Sequence, residues 1–163
     1  GWLRMAFVDS WQLVVQREHK DRLAELLREA VDGLLPYQDA GTSMFYQLPD
    51  KASEPGNYPE TSGSAMAAYA LMKGARLGIL PMEYFARGAE ILGGIARTQL
   101  TTVGGRLVLG GIYGSAGLGA GPDNRTDRDG SIRYYLSEAI RPDNQHGTAA
   151  CMMAYSEYLY SAG

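Results

Sequence analysis

Cysteine occurs once in this chain and histidine twice. Cys151 alone excludes an internal disulfide framework, and a single thiol favours a reducing compartment; a bacterial cytoplasm is the expectation. His19 and His146 lie far apart and lack the spacing of metal ligands, so neither a metal nor another cofactor is expected. No apolar run approaches the roughly 20 residues that span a bilayer, which removes the membrane as a partner. Positive charge is short too. Fifteen Lys and Arg against 18 Asp and Glu leave a formal charge of -3, which argues against a nucleic-acid footprint. The opening Gly1-Trp2 shows neither an initiating Met nor a signal peptide, and further residues upstream are expected.

What is present is apolar side chain and glycine. The 163 residues are 45% hydrophobic, enough for one domain with a real core, and Gly numbers 21, many of them between 104 and 130. About five helical segments are expected, at 3–15, 21–35, 61–77, 82–97 and 148–160. The first, third and last are apolar on most sides; the second and fourth carry a single apolar stripe, such as Leu23, Leu26, Leu27, Ala30, Val31 and Leu34. Helices apolar all round belong inside and striped ones cover them. The alternation therefore predicts two concentric rings of helices, an all-α toroid, rather than a plain bundle.

Loop lengths alternate as well. Short turns near 17–20 and 78–81 follow inner helices, while long loops at 39–59 and 98–147 precede the next ones. Both long loops and all three inner-helix starts then share one end. Trp2, residues 60–64, 123–138 and 146–148 are expected to converge there. Within the second loop, 101–103 and 107–109 flank Gly104-Gly105 as a β-hairpin, and 132–140 reads as an extended segment beneath the mouth.

Residues 55–66, Pro-Gly-Asn-Tyr-Pro-Glu-Thr-Ser-Gly-Ser-Ala-Met, concentrate the polar chemistry. Two prolines and a glycine end a loop, and Glu60, Thr61 and Ser62 stand where free N–H groups open a helix. Such a place binds a polar or anionic ligand; an ordinary helix cap uses the same residues. Other motifs fail their context. Residues 114–121 look like a phosphate loop but lack the strand, helix and Lys-Ser/Thr of one. Asp127-Arg128-Asp129-Gly130 suggests a calcium loop, yet the register puts Arg125 first and Leu136 last. Ser62 and Ser64 have no nucleophile-elbow pattern. Asp9, inside an apolar helix, reads as a hydrogen-bonded structural carboxylate or as a residue that supports the site from behind.

Several stretches carry a resemblance: 45–51 (Phe-Tyr-Gln-Leu-Pro-Asp-Lys), 55–66, 69–78, Ala116-Gly117-Leu118-Gly119, Arg128-Asp129-Gly130-Ser131 and Tyr134-Tyr135-Leu136-Ser137-Glu138. In order and over nearly the whole chain, they resemble glycoside hydrolase family 105, the unsaturated rhamnogalacturonyl hydrolases. Family 88, the unsaturated glucuronyl hydrolases, is similar but fits the Tyr-Tyr-Leu-Ser-Glu segment less well. The resemblance implies the C-terminal portion of an (α/α)6 toroid, taken as a single domain over 1–163. It implies action on unsaturated uronyl (galacturonyl-rhamnose) oligosaccharides from pectin, without a metal. An aspartate protonates the C4=C5 bond, water adds at C5, and the hemiketal collapses to release the sugar. That aspartate is expected upstream of Gly1, so no catalytic residue is carried over. Trp2 matches an aromatic that stacks on the unsaturated sugar. Glu60, Thr61 and Ser62 are candidate lining residues. Arg128, Asp129 and Glu138 either contact the uronate or hold their own loop together. Ala139 stands where the family usually has Pro. A non-catalytic sugar-binding or structural remnant is the alternative; a toroid epimerase would need catalytic histidines. An isolated arc is expected to self-associate or to pair with an upstream half, through apolar flanks that include Phe7, Trp11, Met152 and Met153.

Overall fold

Helix α3 (Thr61–Arg76) is the axis of the molecule. Its small and apolar side chains, Ala65, Met66, Ala68, Leu71 and Met72 among them, are buried on every side. Three helices pack on it: α1 (Trp2–Leu13), α4 (Glu83–Thr98) and α6 (Gln145–Ala162), while α2 (Arg17–Asp32) lies outside α1. The computed structural model describes residues 1–120 and 124–162. Gly121, which ends the glycine-rich loop, and Asp123, which begins the 123–138 segment, lie outside the described residues. The order of inner and outer helices is the one expected of an all-α arc with a small hairpin.

Burial refines that order. Helix α3 alone is covered all round. Helix α1 buries Met5 and Val8, and α6 buries Ala150 and Ala154, each on the side that meets α3. Their other faces show Leu3, Leu13, Met152, Tyr155 and Leu159 to solvent. Phe7 and Trp11, expected on the open flank, are instead half-buried against the core; Met152 is 66% exposed.

Polar ties fix the inner helices toward the C-terminal end of α3. Lys73 donates to Asp9 and to the Tyr69 hydroxyl, both at 2.7 Å. Tyr69 also donates to Asp9 at 2.7 Å, so α1 and α3 share one three-membered knot. Asp9 is thus the structural carboxylate its sequence position suggests. Arg76 forks onto both Glu157 oxygens at 2.7 and 2.9 Å, joining α3 to α6. Half-buried bidentate pairs of this kind fix geometry as well as charge.

Two local expectations differ from the structure. Helix α2 starts at Arg17, so the short connection is 14–16; its polar first turn carries no apolar stripe to announce it. Residues 132–137 form a short helix, α5 (Ile132–Ser137), rather than an extended segment. Ser131 Oγ accepts the Tyr134 N–H at 3.1 Å, and this cap outweighs the strand preference of Ile132 and the paired tyrosines. The chain turns extended again at Glu138, and Ile140 bridges to Tyr113. The hairpin forms as expected from β3 (Leu100–Val103) and β4 (Arg106–Leu109). Gly104 and Gly105 both take positive φ, 57° and 79°, as its two-residue turn requires.

Candidate functional site

The start of α3 is built from its own side chains. Glu60 ends the two-residue strand β2 (Pro59–Glu60), which pairs with β1 (Phe45–Tyr46) and leaves Glu60 extended as the N-cap. Its Oε1 accepts the Ser62 N–H at 2.9 Å and the Ser62 hydroxyl at 2.8 Å; Oε2 accepts the Gly63 N–H at 2.6 Å. A carboxylate at this position meets both the free N–H groups and the positive end of the helix dipole. Ser64 Oγ turns back to the Glu60 carbonyl at 2.6 Å and accepts the Phe45 N–H at 2.9 Å. The second long loop is bolted to the same place. Thr61 donates from N to Gly111 O and from Oγ1 to Gly110 O, both at 2.8 Å.

Above this start lies a cavity of about 370 Å³, whose walls include Trp2, Tyr46, Gln47, Glu60, Tyr113 and Tyr135. Trp2, 55% exposed, stands at the first turn of α1, and Glu60, 3% exposed, forms part of the floor. Burial, then the Glu60 charge, raises the phenol pKa of both Tyr58 and Tyr113, which keeps the two hydroxyls protonated beside the carboxylate. The Tyr58 hydroxyl is buried without a hydrogen-bond partner among the described residues. Aromatic faces with a few fixed polar groups in a concavity of this size suit one or two sugar rings.

The structure brings some expected site residues together and separates others. Trp2, Glu60 and Ser62 share the cavity. Thr61 is fully buried below it and holds the loop. Arg128, Asp129 and Glu138 are absent from its described lining, although their neighbour Tyr135 is part of it. Asp129, Glu138 and the Arg128 backbone take part in a loop lock. Arg125 forks onto Asp127 at 2.8 and 3.0 Å, and its Nη1 lies 2.8 Å from the buried Glu138 Oε1, in ion-pair contact without hydrogen-bond alignment. The hydrogen bond from Arg125 holds the Asp127 carboxyl below the usual range. Asp129 Oδ1 accepts the Ser131 N–H at 2.9 Å, and the Arg128 carbonyl accepts that of Gly119 at 3.1 Å. The contacts seen for Asp129, for Glu138 and for the Arg128 backbone are those of loop support, one of the two roles open to these residues. His146 packs on Tyr113 with ring centroids 4.7 Å apart, behind the cavity wall, while Thr148 faces elsewhere.

Sequence reasoning missed Tyr113, Tyr135, Gln47 and Arg4 as lining residues. Gln47 stood in a stretch already singled out; Tyr113 follows a glycine pair in a loop and gives no local signal. A larger concavity, about 790 Å³, runs between α4, the hairpin and α6 and is walled by Leu92, Ile95, Leu107, Cys151, Met152 and Tyr155. It is almost wholly apolar and lies on the open flank, so the smaller, more polar cavity is the candidate site. No described helix is long and apolar enough to cross a membrane, and the described residues hold no cluster of His, Cys, Asp or Glu fit for a metal ion.

Comparison with known proteins agrees with this architecture. The family described as Glycosyl Hydrolase Family 88 matches residues 1–162. Protein Atu3128 of Agrobacterium fabrum is 37% identical over 167 residues, covering 99% of this chain and 70% of that protein. A family 105 glycoside hydrolase of C. acetobutylicum superposes with a TM-score of 0.90 at 35% identity, over 98% of this chain and 44% of that one. A possible family 105 member from Salmonella enterica, at 21% identity, shares the fold with a TM-score of 0.78, over 99% of this chain and 39% of that one. This chain therefore spans less than half the length of the solved relatives it matches. Its helical fold is that of these glycosidase toroids, and the chain belongs to glycosyl hydrolase family 88, with family 105 enzymes as its structural neighbours.

Proposed function

We propose that this chain supplies a sugar-recognition wall of a hydrolase acting on unsaturated uronyl (galacturonyl-rhamnose) oligosaccharides derived from pectin. The observation that carries the reading is the shared cavity of Trp2 and the Glu60 cap, flanked by Tyr113 and Tyr135. Trp2 offers its ring face to the flat, unsaturated ring, and the tyrosines close the sides. Glu60 is the one carboxylate among the described lining residues, and both its oxygens are engaged by donors of its own helix start. It is placed to shape the floor rather than to exchange a proton with substrate. The aspartate that protonates C4 and activates the water added at C5 belongs, on this reading, to a part of the enzyme outside this chain. The same reading makes a second copy or the remainder of the enzyme the partner of the open flanks.

Titration calorimetry with an unsaturated galacturonyl-rhamnose disaccharide tests the proposal, alongside the ultraviolet absorbance of its double bond. Binding without loss of absorbance is expected. The Trp2→Ala variant should bind about two- to tenfold more weakly, since a stacked aromatic contributes ~0.5–1.5 kcal/mol beyond its area. Turnover by the chain alone would place the acid among its own residues. Equal affinity for wild type and Trp2→Ala would remove the stacking role.

A further inference from the structure

We propose that Arg4 is the residue that recognises the sugar's carboxylate in this cavity, a role that rests on the sugar-acid reading above. Arg4 is the one cationic side chain among the described lining residues. Two other partly buried arginines already have carboxylates: Arg76 has Glu157, and Arg125 has Asp127 and Glu138. Arg4 has none among the described residues. Its Nε donates to the Ala30 carbonyl at 2.9 Å, and no described acceptor takes Nη1 or Nη2.

That single bond explains why the fork is held in place. Leu34 N binds Val31 O rather than Ala30 O, so the tightened end of α2 leaves the Ala30 carbonyl free for Arg4. The guanidinium is thereby anchored through one N–H at a helix C-terminus, where positive charge is favoured. The rest of the fork has the geometry to take both oxygens of a carboxylate. Burial without a counter-charge also lowers the Arg4 pKa; the group stays charged, and an anionic ligand relieves the cost of its desolvation. Glu60 lies on the same cavity. Repulsion from it turns the carboxylate of a bound sugar toward Arg4 and so sets the ring's direction across Trp2.

The test is calorimetry on the intact chain with three probes: the unsaturated galacturonyl-rhamnose disaccharide, its methyl ester, and free galacturonate. Wild type should prefer the acid to the ester by about tenfold, the value of one charge-assisted hydrogen bond. Arg4→Gln should bind acid and ester alike, at the wild-type ester affinity. Arg4→Lys, which keeps the charge and loses the fork, should fall between. Raising salt should weaken acid binding and leave ester binding unchanged, a readout that needs no variant and survives any loss of α2 stability in Arg4→Gln. Equal binding of acid and ester by wild type, or an acid preference retained in Arg4→Gln, overturns the Arg4 role and leaves the substrate class standing. Arg4-dependent binding of galacturonate without binding of the unsaturated disaccharide supports Arg4 and overturns the substrate class. Binding of none of the three overturns both.

Discussion

Replacing Glu60 by alanine strips the central helix of its cap and strands three donors of its first turn at a nearly closed position, along with the more distant Tyr113 N–H. The Ser62 N–H, the Ser62 hydroxyl and the Gly63 N–H all end on this carboxylate, at 2.6–2.9 Å, and Glu60 is 3% exposed. Losing an N-cap costs about 0.5–2 kcal/mol. Leaving a buried donor unsatisfied adds about 1–3 kcal/mol, reduced where water enters the vacated space. A total of about 3 kcal/mol follows, which for a chain of this size lowers Tm by roughly 6–12 °C. Glu60→Gln is the informative companion. It keeps an oxygen for the Ser62 pair but turns an NH2 group toward the Gly63 N–H, so its loss should be roughly half. Urea denaturation followed by circular dichroism, with thermal melts alongside, reads both variants. A Glu60→Ala midpoint within about 0.5 kcal/mol of wild type would show that these bonds are replaced by water at no net cost.

Other outcomes follow from the same contacts. Lys73 is raised above its ordinary pKa although burial opposes this, because its bonds to Asp9 and Tyr69 outweigh desolvation; burial raises Tyr69 as well. Both groups hold their protons more tightly when folded, so their stabilisation is complete below about pH 10 and is lost as pH rises through the folded values. Alkaline melts should show that loss, and Lys73→Met should remove the lysine's share of it while leaving that of Tyr69. Gly94 packs so closely on the Thr42 carbonyl that a Cβ would overlap it; Gly94→Ala should cost about 1–3 kcal/mol in denaturant, while Gly93→Ala, near only the end of Arg97, should not. The exposed apolar faces of α1 and α6 should drive concentration-dependent association in sedimentation, and Met152→Glu with Leu159→Glu should suppress it; a monomer at high concentration would show that these faces are tolerated by water.

The sequence was most legible where composition and periodicity agreed. Helix α3, with small residues throughout and no charge before Lys73, declares itself as the innermost element, and the stripes on α2 and α4 declare them as covers. The Gly104-Gly105 turn is equally plain. Helix α5 was opaque because Ile132, Tyr134 and Tyr135 favour strands, and only the cap from Ser131 decides otherwise. Helices α1 and α6 read as apolar all round, which gives their rank in the ring but not which face is covered. At the site, Trp2 and Glu60 sat at helix starts that loop lengths could bring together. Tyr113 and Arg4 could not be found in that way. The first reaches the cavity through a loop path, and the second depends on which carbonyl the end of α2 leaves free.

Thr61 grips the carbonyls of Gly110 and Gly111 in succession, and two residues later the Tyr113 N–H lies 3.4 Å from Glu60 Oε1. Residues 110–113 are therefore clamped at both ends, whereas the hairpin just before them projects its glycine turn into solvent. The two stretches should answer insertions in opposite ways. A peptide tag or fluorophore site placed between Gly104 and Gly105 lengthens a free arm and leaves the cavity floor where it is. One extra residue between Gly111 and Tyr113 has no slack to occupy and must lift either the loop from Thr61 or the wall from Glu60. The chain thus carries a ready attachment point for reporting on its site without touching it.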